Sequence, residues 1–227
     1  MAHRRSFRGI GWNEMREFLD EKHDLYNNPS FIANDPISIP HRFELLQDRE
    51  ISGFLTATIA WGRRDLILRG AGILMEKMGG SPYTFITEAP QDEFERFSDF
   101  VYRTFNGIDC ISFLQSLRDI YMSYQSMEDV IAEGMGGDGE LTSGIGHLRA
   151  RFFSGCHPPR SEKHFADITR GAAGKRLNMF LRWMVRNDNR GVDFGMWKRI
   201  SPSQLYIPLD FHSGNTSRKL GLLQRKA

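Results

Sequence analysis

A lysine at the exit of a glycine turn and an aspartate at the start of a helix are the residues of this chain best placed to do chemistry. In Gly171-Ala-Ala-Gly-Lys175 the turn opens a helix whose free N–H groups and positive dipole end can hold a phosphate, with Lys175 in the first turn. In Ile207-Pro-Leu-Asp-Phe-His212 an apolar approach delivers Asp210 to a good N-cap position, with His212 close behind. Each also has a plain structural reading: a solvated lysine, a cap worth about 1 kcal/mol, a histidine satisfied near a helix start. Arg176, Arg182 and Arg186 follow Lys175, and Arg63 and Arg64 belong to Trp61-Gly-Arg-Arg64. Singly, each arginine suits an ion pair within the chain; as a set they suggest a groove for a polyanion. Trp61 reads most simply as core, and alternatively as a corner that enters a duplex or lines a base pocket.

Charge is divided unevenly along the 227 residues. Residues 1–140 hold 14 Lys and Arg against 23 Asp and Glu, net −9, and residues 141–227 hold 16 against 5, net +11. The formal total of +2 hides a basic last third with Trp183 and Trp197 among its charges. That is the footprint of a phosphate-binding surface, although a solvated face docked on the acidic portion gives the same pattern. Cys110 and Cys156 are too few for a four-thiolate zinc site or an iron–sulfur cluster, so metal is not expected to be the organising chemistry. No run approaches the roughly 18 apolar residues of a membrane span, and no apolar stretch follows the basic residues at the N-terminus. The expectation is a cytoplasmic protein without a membrane partner, nucleoid-associated if it binds DNA.

The elements that must position these groups read as helical nearly throughout, so an all-α fold is expected. In Glu50–Trp61, the residues Ile51, Phe54, Leu55, Thr58 and Ile59 share one helical face. A second helix over Asp65–Met78 turns Leu66, Gly70, Ile73 and Leu74 inward and is closed by Gly79-Gly80. Residues near 91–105 and 109–125 are further helical candidates, the latter burying Phe113, Leu117, Ile120 and Tyr124, and a short helix covers Met127–Met135. Composition places a hinge at Gly134–Gly139, dividing an acidic portion, 1–140, from a basic one, 141–227. A helix from near Ser161 then precedes the glycine turn. In Lys175–Arg186, Leu177, Phe180, Leu181, Met184 and Val185 line one face, with Trp183 beside it. Asn187–Tyr206 reads as irregular, and a last helix starts near Phe211.

The glycine hairpin with a lysine at its exit, the apolar-Asp-x-His segment and Arg218-Lys-Leu-Gly-Leu222 together resemble the helix-hairpin-helix DNA glycosylase superfamily, which includes endonuclease III and the archaeal 8-oxoguanine glycosylases. With Glu50–Trp61 and Arg103–Asp109 the likeness extends over residues 40–226. The strings Trp61–Arg64, Lys175–Arg186 and Ile207–Gly214 are also similar to a bacterial family known as a domain of unknown function, which confers no activity.

The superfamily resemblance implies two helical lobes with a cleft between them, duplex DNA carrying a damaged base as partner, and base-excision chemistry with an abasic-site lyase step. Lys175 falls where the nucleophilic lysine stands, attacking C1′ of a flipped nucleotide to form a Schiff base; Asp210 falls where a carboxylate stabilises oxocarbenium charge and moves the amine's proton. Gly171, Gly174, Arg176, Arg182, Arg186, Arg63, Arg64, His212 and Arg218 become DNA contacts, and Trp61 a pocket wall or wedge. No metal or organic cofactor is implied, and an oxidised purine is the leading substrate. The chain departs from the endonuclease III pattern, whose four-cysteine cluster loop it lacks, in three further places. Thr169-Arg-Gly-Ala-Ala-Gly174 stands where endonuclease III has Leu-Pro-Gly-Val-Gly, Lys175 and Asp210 are 35 residues apart, and the chain ends six residues past Gly221, short of a closing helix. The competing expectations are a non-catalytic nucleic-acid-binding module that keeps the hairpin and basic face, and an interaction protein whose acidic and basic portions serve protein partners.

Overall fold

In the computed structural model, which describes residues 11–207 and 209–225, helices are joined by short 3-10 turns, and the fold is all-α. The basic residues 1–10, and Pro208 of the Asp210 motif, lie outside the described residues. α1 (Trp12–Tyr26) buries only Met15 and ends against the 186–190 segment, where Arg190 pairs with Asp24 at 2.5 Å and Asn27 donates to Asp188 at 2.6 Å. Three 3-10 segments opened by Pro29, Pro36 and Pro40 then lead to α2 (Leu46–Thr58). Proline suits each start because its ring presets φ and the missing N–H would have no partner there.

α2 is the centre of the molecule: every residue from Glu50 to Thr58 is buried, including the face expected from the sequence. The ring of Phe54 meets those of Phe113, Phe152, Phe165 and Phe180 at centroid distances of 5.4–6.2 Å. Around it lie α3 (Arg64–Lys77), α4 (Pro82–Glu88), a hairpin of β1 (Val101–Tyr102) and β2 (Phe105–Asn106), and α5 (Gly107–Ser123). α6 (Met127–Met135) and α7 (Leu141–Phe152) pack on each other, α8 (Lys175–Val185) packs on α2, and α9 (Phe211–Lys219) is the last helix. α8 approaches α2 closely at Gly53, where a Cβ would stand 3.0 Å from Met184 Cε. One buried apolar cluster runs from Ile37 to Ile200, so it continues through the Gly134–Glu140 stretch into α7 and α8.

Three local expectations are corrected. Leu66 faces outward, 41% exposed, because α3 is covered from the side of Ile67, Gly70, Ala71 and Leu74. Residues 91–105 are a 3-10 segment, Gln91–Phe97, followed by the hairpin. Phe94, Phe97 and Phe100, all buried, recur every third residue, which is the period of a 3-10 turn and not of an α-helix. The helix expected from Ser161 is two 3-10 segments, Pro159–His164 and Ile168–Arg170, with the Asp167 side chain capping Thr169 N–H between them. The glycine turn is therefore preceded by a single 3-10 turn.

Candidate active site

α8 starts at Lys175 because Gly174 adopts the left-handed conformation, φ 54°, and supplies no side-chain cap. A Cβ at Gly174 would stand 2.7 Å from Ile168 Cγ2, so backbone and space both select glycine. Gly171, at φ 84°, ends the preceding 3-10 turn and faces open space. Asn178 reaches back to the carbonyls of Ala173 (3.1 Å) and Gly174 (3.2 Å) and locks the turn onto the helix. Among the described residues, the N–H groups of Lys175, Arg176 and Leu177 have no hydrogen-bond acceptor, as expected of an uncapped helix start.

Asp210 begins α9 through a reciprocal capping box: its Oδ1 accepts the Ser213 N–H at 2.7 Å, and Ser213 Oγ accepts the Asp210 N–H at 2.8 Å. The cap occupies one carboxylate oxygen. The other, Oδ2, accepts a hydrogen bond from the ammonium of Lys175. The Lys175 ammonium first, and then the Ser213 N–H and hydroxyl, hold the Asp210 carboxyl well below the usual carboxylate range. Two residues 35 positions apart are thus joined at the N-termini of two helices.

Next to Lys175 lies a cavity of about 150 Å³, lined among others by Phe54, Thr58, His164, Ala166 and Arg176. The Arg176 guanidinium donates to the Thr58 carbonyl, and its Cζ stands 4.6 Å from the centre of the Trp61 ring. Trp61 is stacked on His164 with centroids 6.1 Å apart and meets Tyr102 edge-on at 5.3 Å. It is half-buried and braced on three sides. His164 is itself buried, and that burial lowers its pKa below the usual histidine value. Its Nε2 lies 3.4 Å from Asp109 Oδ2 without forming a hydrogen bond among the described residues. Asp109, fully buried, accepts from Ser161 Oγ at 2.7 Å and from Asn106 N–H at 3.1 Å.

His164 and Asp109 were not legible as site residues. His164 sits in what reads as an ordinary helix, and the only local sign of Asp109 is the Asn106-x-x-Asp109 capping box that starts α5. Of the candidate site residues singled out in the sequence, Gly174, Lys175 and Arg176 line the cavity, while Asp210 is joined to it through Lys175 and Trp61 through Arg176 and His164. Arg182 and Arg186 turn instead to the buried carboxylate of Asp193, at 3.1 and 2.5 Å. Arg63 pairs with Asp65 at 2.6 Å, and Arg64 opens α3; both are exposed beside Trp61. On α9, His212 is exposed with its ring edge-on to Phe211, and Arg218 donates to the Arg225 carbonyl at 2.9 Å. Among the described residues, no group of three His, Cys, Asp or Glu side chains is placed to hold a metal ion, and no helix is long and apolar enough to cross a membrane.

Fold and site define an all-α protein with a lysine–carboxylate pair beside a small cavity. The chain belongs to the family described as Protein of unknown function (DUF2400), whose model matches residues 35–227; α1 lies outside the matched span. No curated protein and no solved structure matches the chain.

Proposed function

We propose that the protein is a DNA base-excision glycosylase with abasic-site lyase activity, built on the helix-hairpin-helix plan of two helical lobes with a cleft between them. The observation that carries this reading is the Lys175–Asp210 pair: an amine and a carboxylate in hydrogen-bond contact, each at a helix N-terminus, beside a cavity. A damaged nucleotide flips out of the duplex, and a phosphate next to it docks at the uncapped start of α8. Asp210 accepts a proton from the Lys175 ammonium, freeing the Nζ lone pair to attack C1′. The C1′–N bond breaks, its electron pair leaves with the base, and the base is protonated. Ring opening gives a Schiff base, loss of a C2′ proton expels the 3′ phosphate, and water hydrolyses the imine to restore Lys175. Asp210 passes the proton taken from Lys175 to the departing base, and the carboxylate so restored stabilises the oxocarbenium character of C1′. The cavity offers the base apolar walls at Phe54 and Ala166. An oxidised purine is the favoured substrate class, on the likeness to the archaeal 8-oxoguanine glycosylases.

Borohydride trapping on duplex oligonucleotides carrying an abasic site, 8-oxoguanine or uracil tests the reading. A covalent adduct with wild type that is lost in Lys175→Ala is the expected result, and its yield ranks the lesions. Absence of both adduct and base release from every lesion, with salt-sensitive duplex binding retained, overturns the catalytic reading and leaves a binding module.

A further inference from the structure

We infer that the hairpin turn carrying Arg103 grips the phosphate backbone of duplex DNA beside the Trp61 corner; this rests on the glycosylase reading and extends it to how the partner is held. β1 and β2 pair as Val101↔Asn106 and Tyr102↔Phe105, leaving Arg103 and Thr104 as the turn. Arg103 has φ 54°, a left-handed conformation that glycine adopts freely and arginine seldom does. The geometry of the turn therefore calls for glycine, and what an arginine adds there is its guanidinium.

That side chain is exposed and forms no ion pair among the described residues. It lies across Gly62, where a Cβ would stand 2.9 Å from the Arg103 guanidinium carbon. Gly62 is itself left-handed, at φ 100°, so the absence of a side chain serves both the bend and the close approach. The turn is fastened to its surroundings on both sides. Tyr102 donates its hydroxyl to the Trp61 carbonyl at 2.7 Å, and Arg160 donates to the Thr104 carbonyl at 3.2 Å. Three guanidinium groups consequently stand around one corner: Arg103 across Gly62, Arg160 at Thr104, and Arg176 over Trp61. Arg176 adjoins Lys175 in the chain, which ties this corner to the reacting pair. Of the nearby carboxylates, Asp65 is engaged by Arg63, and the buried Asp109 pairs with Arg160 at 3.3 Å, so Arg103 is the guanidinium of the three that is exposed and without an ion pair among the described residues.

A guanidinium fork matches phosphate oxygens in two parallel hydrogen bonds. An exposed guanidinium held at a fixed position on an open surface, beside the anchored Arg160 and Arg176, fits the repeating charges of a nucleic-acid backbone better than a single small anion enclosed in a pocket. The acidic portion of the chain thereby contributes a cation to the basic face, which net charge by segment conceals.

The test is Arg103→Gly, which removes the guanidinium and relieves the left-handed strain, so that its thermal unfolding midpoint equals or exceeds that of wild type. Fluorescence anisotropy with a fluorescein-labelled duplex carrying a tetrahydrofuran abasic analogue, read across a salt series, measures the grip. The expected result is affinity weaker by roughly five- to tenfold and a log affinity against log salt slope reduced by about one. Arg16→Gln, on the exposed face of α1, leaves both unchanged. If wild type traps the abasic strand with borohydride while Arg103→Gly binds the duplex with unchanged affinity and slope, the grip is overturned and the glycosylase reading stands. Wild type that neither binds the duplex nor forms an adduct overturns both. An Arg103 effect seen on single-stranded RNA and not on the duplex overturns duplex DNA as the partner.

Discussion

Asp210 meets Lys175 through one carboxylate oxygen while the other caps α9 at Ser213 N–H, 2.7 Å away. Because the two roles fall on different oxygens, substitutions separate them. Asp210→Asn retains an oxygen for the cap and loses the charge, so its stability should stay within about 0.5 kcal/mol of wild type. Base release should fall by about a hundredfold or more, since the charge facing C1′ is gone. Asp210→Ala should lose the same activity and in addition about 1 kcal/mol of stability with the cap. Urea unfolding of both variants, set beside single-turnover base release, checks this. An Asn variant as active as wild type would remove the carboxylate from the chemistry.

The two glycines of the turn before α8 are expected to differ. Gly171→Ala meets only the strain of a left-handed backbone, because nothing lies within 4 Å of the new Cβ, and should cost about 1 kcal/mol. Gly174→Ala meets that strain and also drives its Cβ to 2.7 Å from Ile168 Cγ2. It should cost about 2 kcal/mol or more and displace Lys175 with it. Denaturant midpoints and adduct yields of the pair check the order, and equal losses at both positions would mean that Ile168 moves aside freely.

How much of this could be read in advance follows from the range over which each feature is determined. The buried face of α2 and that of α8 are local, written in the spacing of Ile51, Phe54 and Leu55 and of Leu177, Phe180 and Leu181, and both are observed. The start of α9 at Asp210 is equally local, since an N-cap needs only its own turn. Periodicity does not say what will cover a face, so Leu66 on α3 falls outside the covered side. The meeting of Lys175 with Asp210 depends on the path of residues 187–206, and that path is set by distant partners. Trp197 donates its indole N–H to Glu50 on α2 at 2.5 Å, and Asp193 draws in two arginines of α8 or its end. No spacing rule encodes such links. His164 is illegible for the same reason: it joins the site only through Trp61, which lies about a hundred residues earlier and stacks on it.

Arg182 and Arg186 test the difference between a basic residue and a binding residue. Both sit where a polyanion groove is expected from the sequence, yet both are directed at Asp193, whose carboxylate is buried. Arg186 also reaches Asp188 at 3.3 Å and Asn27 at 2.9 Å, so it binds three segments. Arg186→Ala should therefore destabilise the protein by about 2–3 kcal/mol, by leaving a buried carboxylate with one weaker partner, and Arg182→Ala by about 1 kcal/mol. Neither should change the salt dependence of duplex binding, in contrast to the loss of about one from the slope for a phosphate contact. Anisotropy titrations of the two variants, corrected for the folded fraction, decide the point; a reduced slope in either would place that arginine on the nucleic acid.

Glu50 gives the protein a pH dependence of definite sign. It lies fully buried on α2, with Oε1 accepting from the Ser126 hydroxyl at 2.6 Å and the Trp197 indole at 2.5 Å, and Oε2 from the Tyr121 hydroxyl at 2.8 Å and the Met127 N–H at 3.2 Å. Burial outweighs these four donors and pushes the pKa from 4.5 up to about 7. The folded chain thus holds this proton more tightly than the unfolded chain, so the contribution of Glu50 to stability is greatest in acid. It declines as pH rises from about 4.5 to about 7, by up to roughly 3 kcal/mol, and is level above that. Glu50→Gln cannot titrate, although its amide faces donors and costs stability at every pH. The informative quantity is the difference in unfolding free energy, wild type minus Glu50→Gln, from urea titrations between pH 4 and pH 8. Taking the difference cancels other groups, among them His164, whose lowered pKa makes the fold more stable as pH rises and so acts in the opposite direction. The difference should shrink steadily from acid to neutral pH and then flatten. A difference that stays constant across the range would mean that the four hydrogen bonds offset the burial of the carboxylate in full, and that Glu50 titrates in the folded chain as it does in the unfolded one.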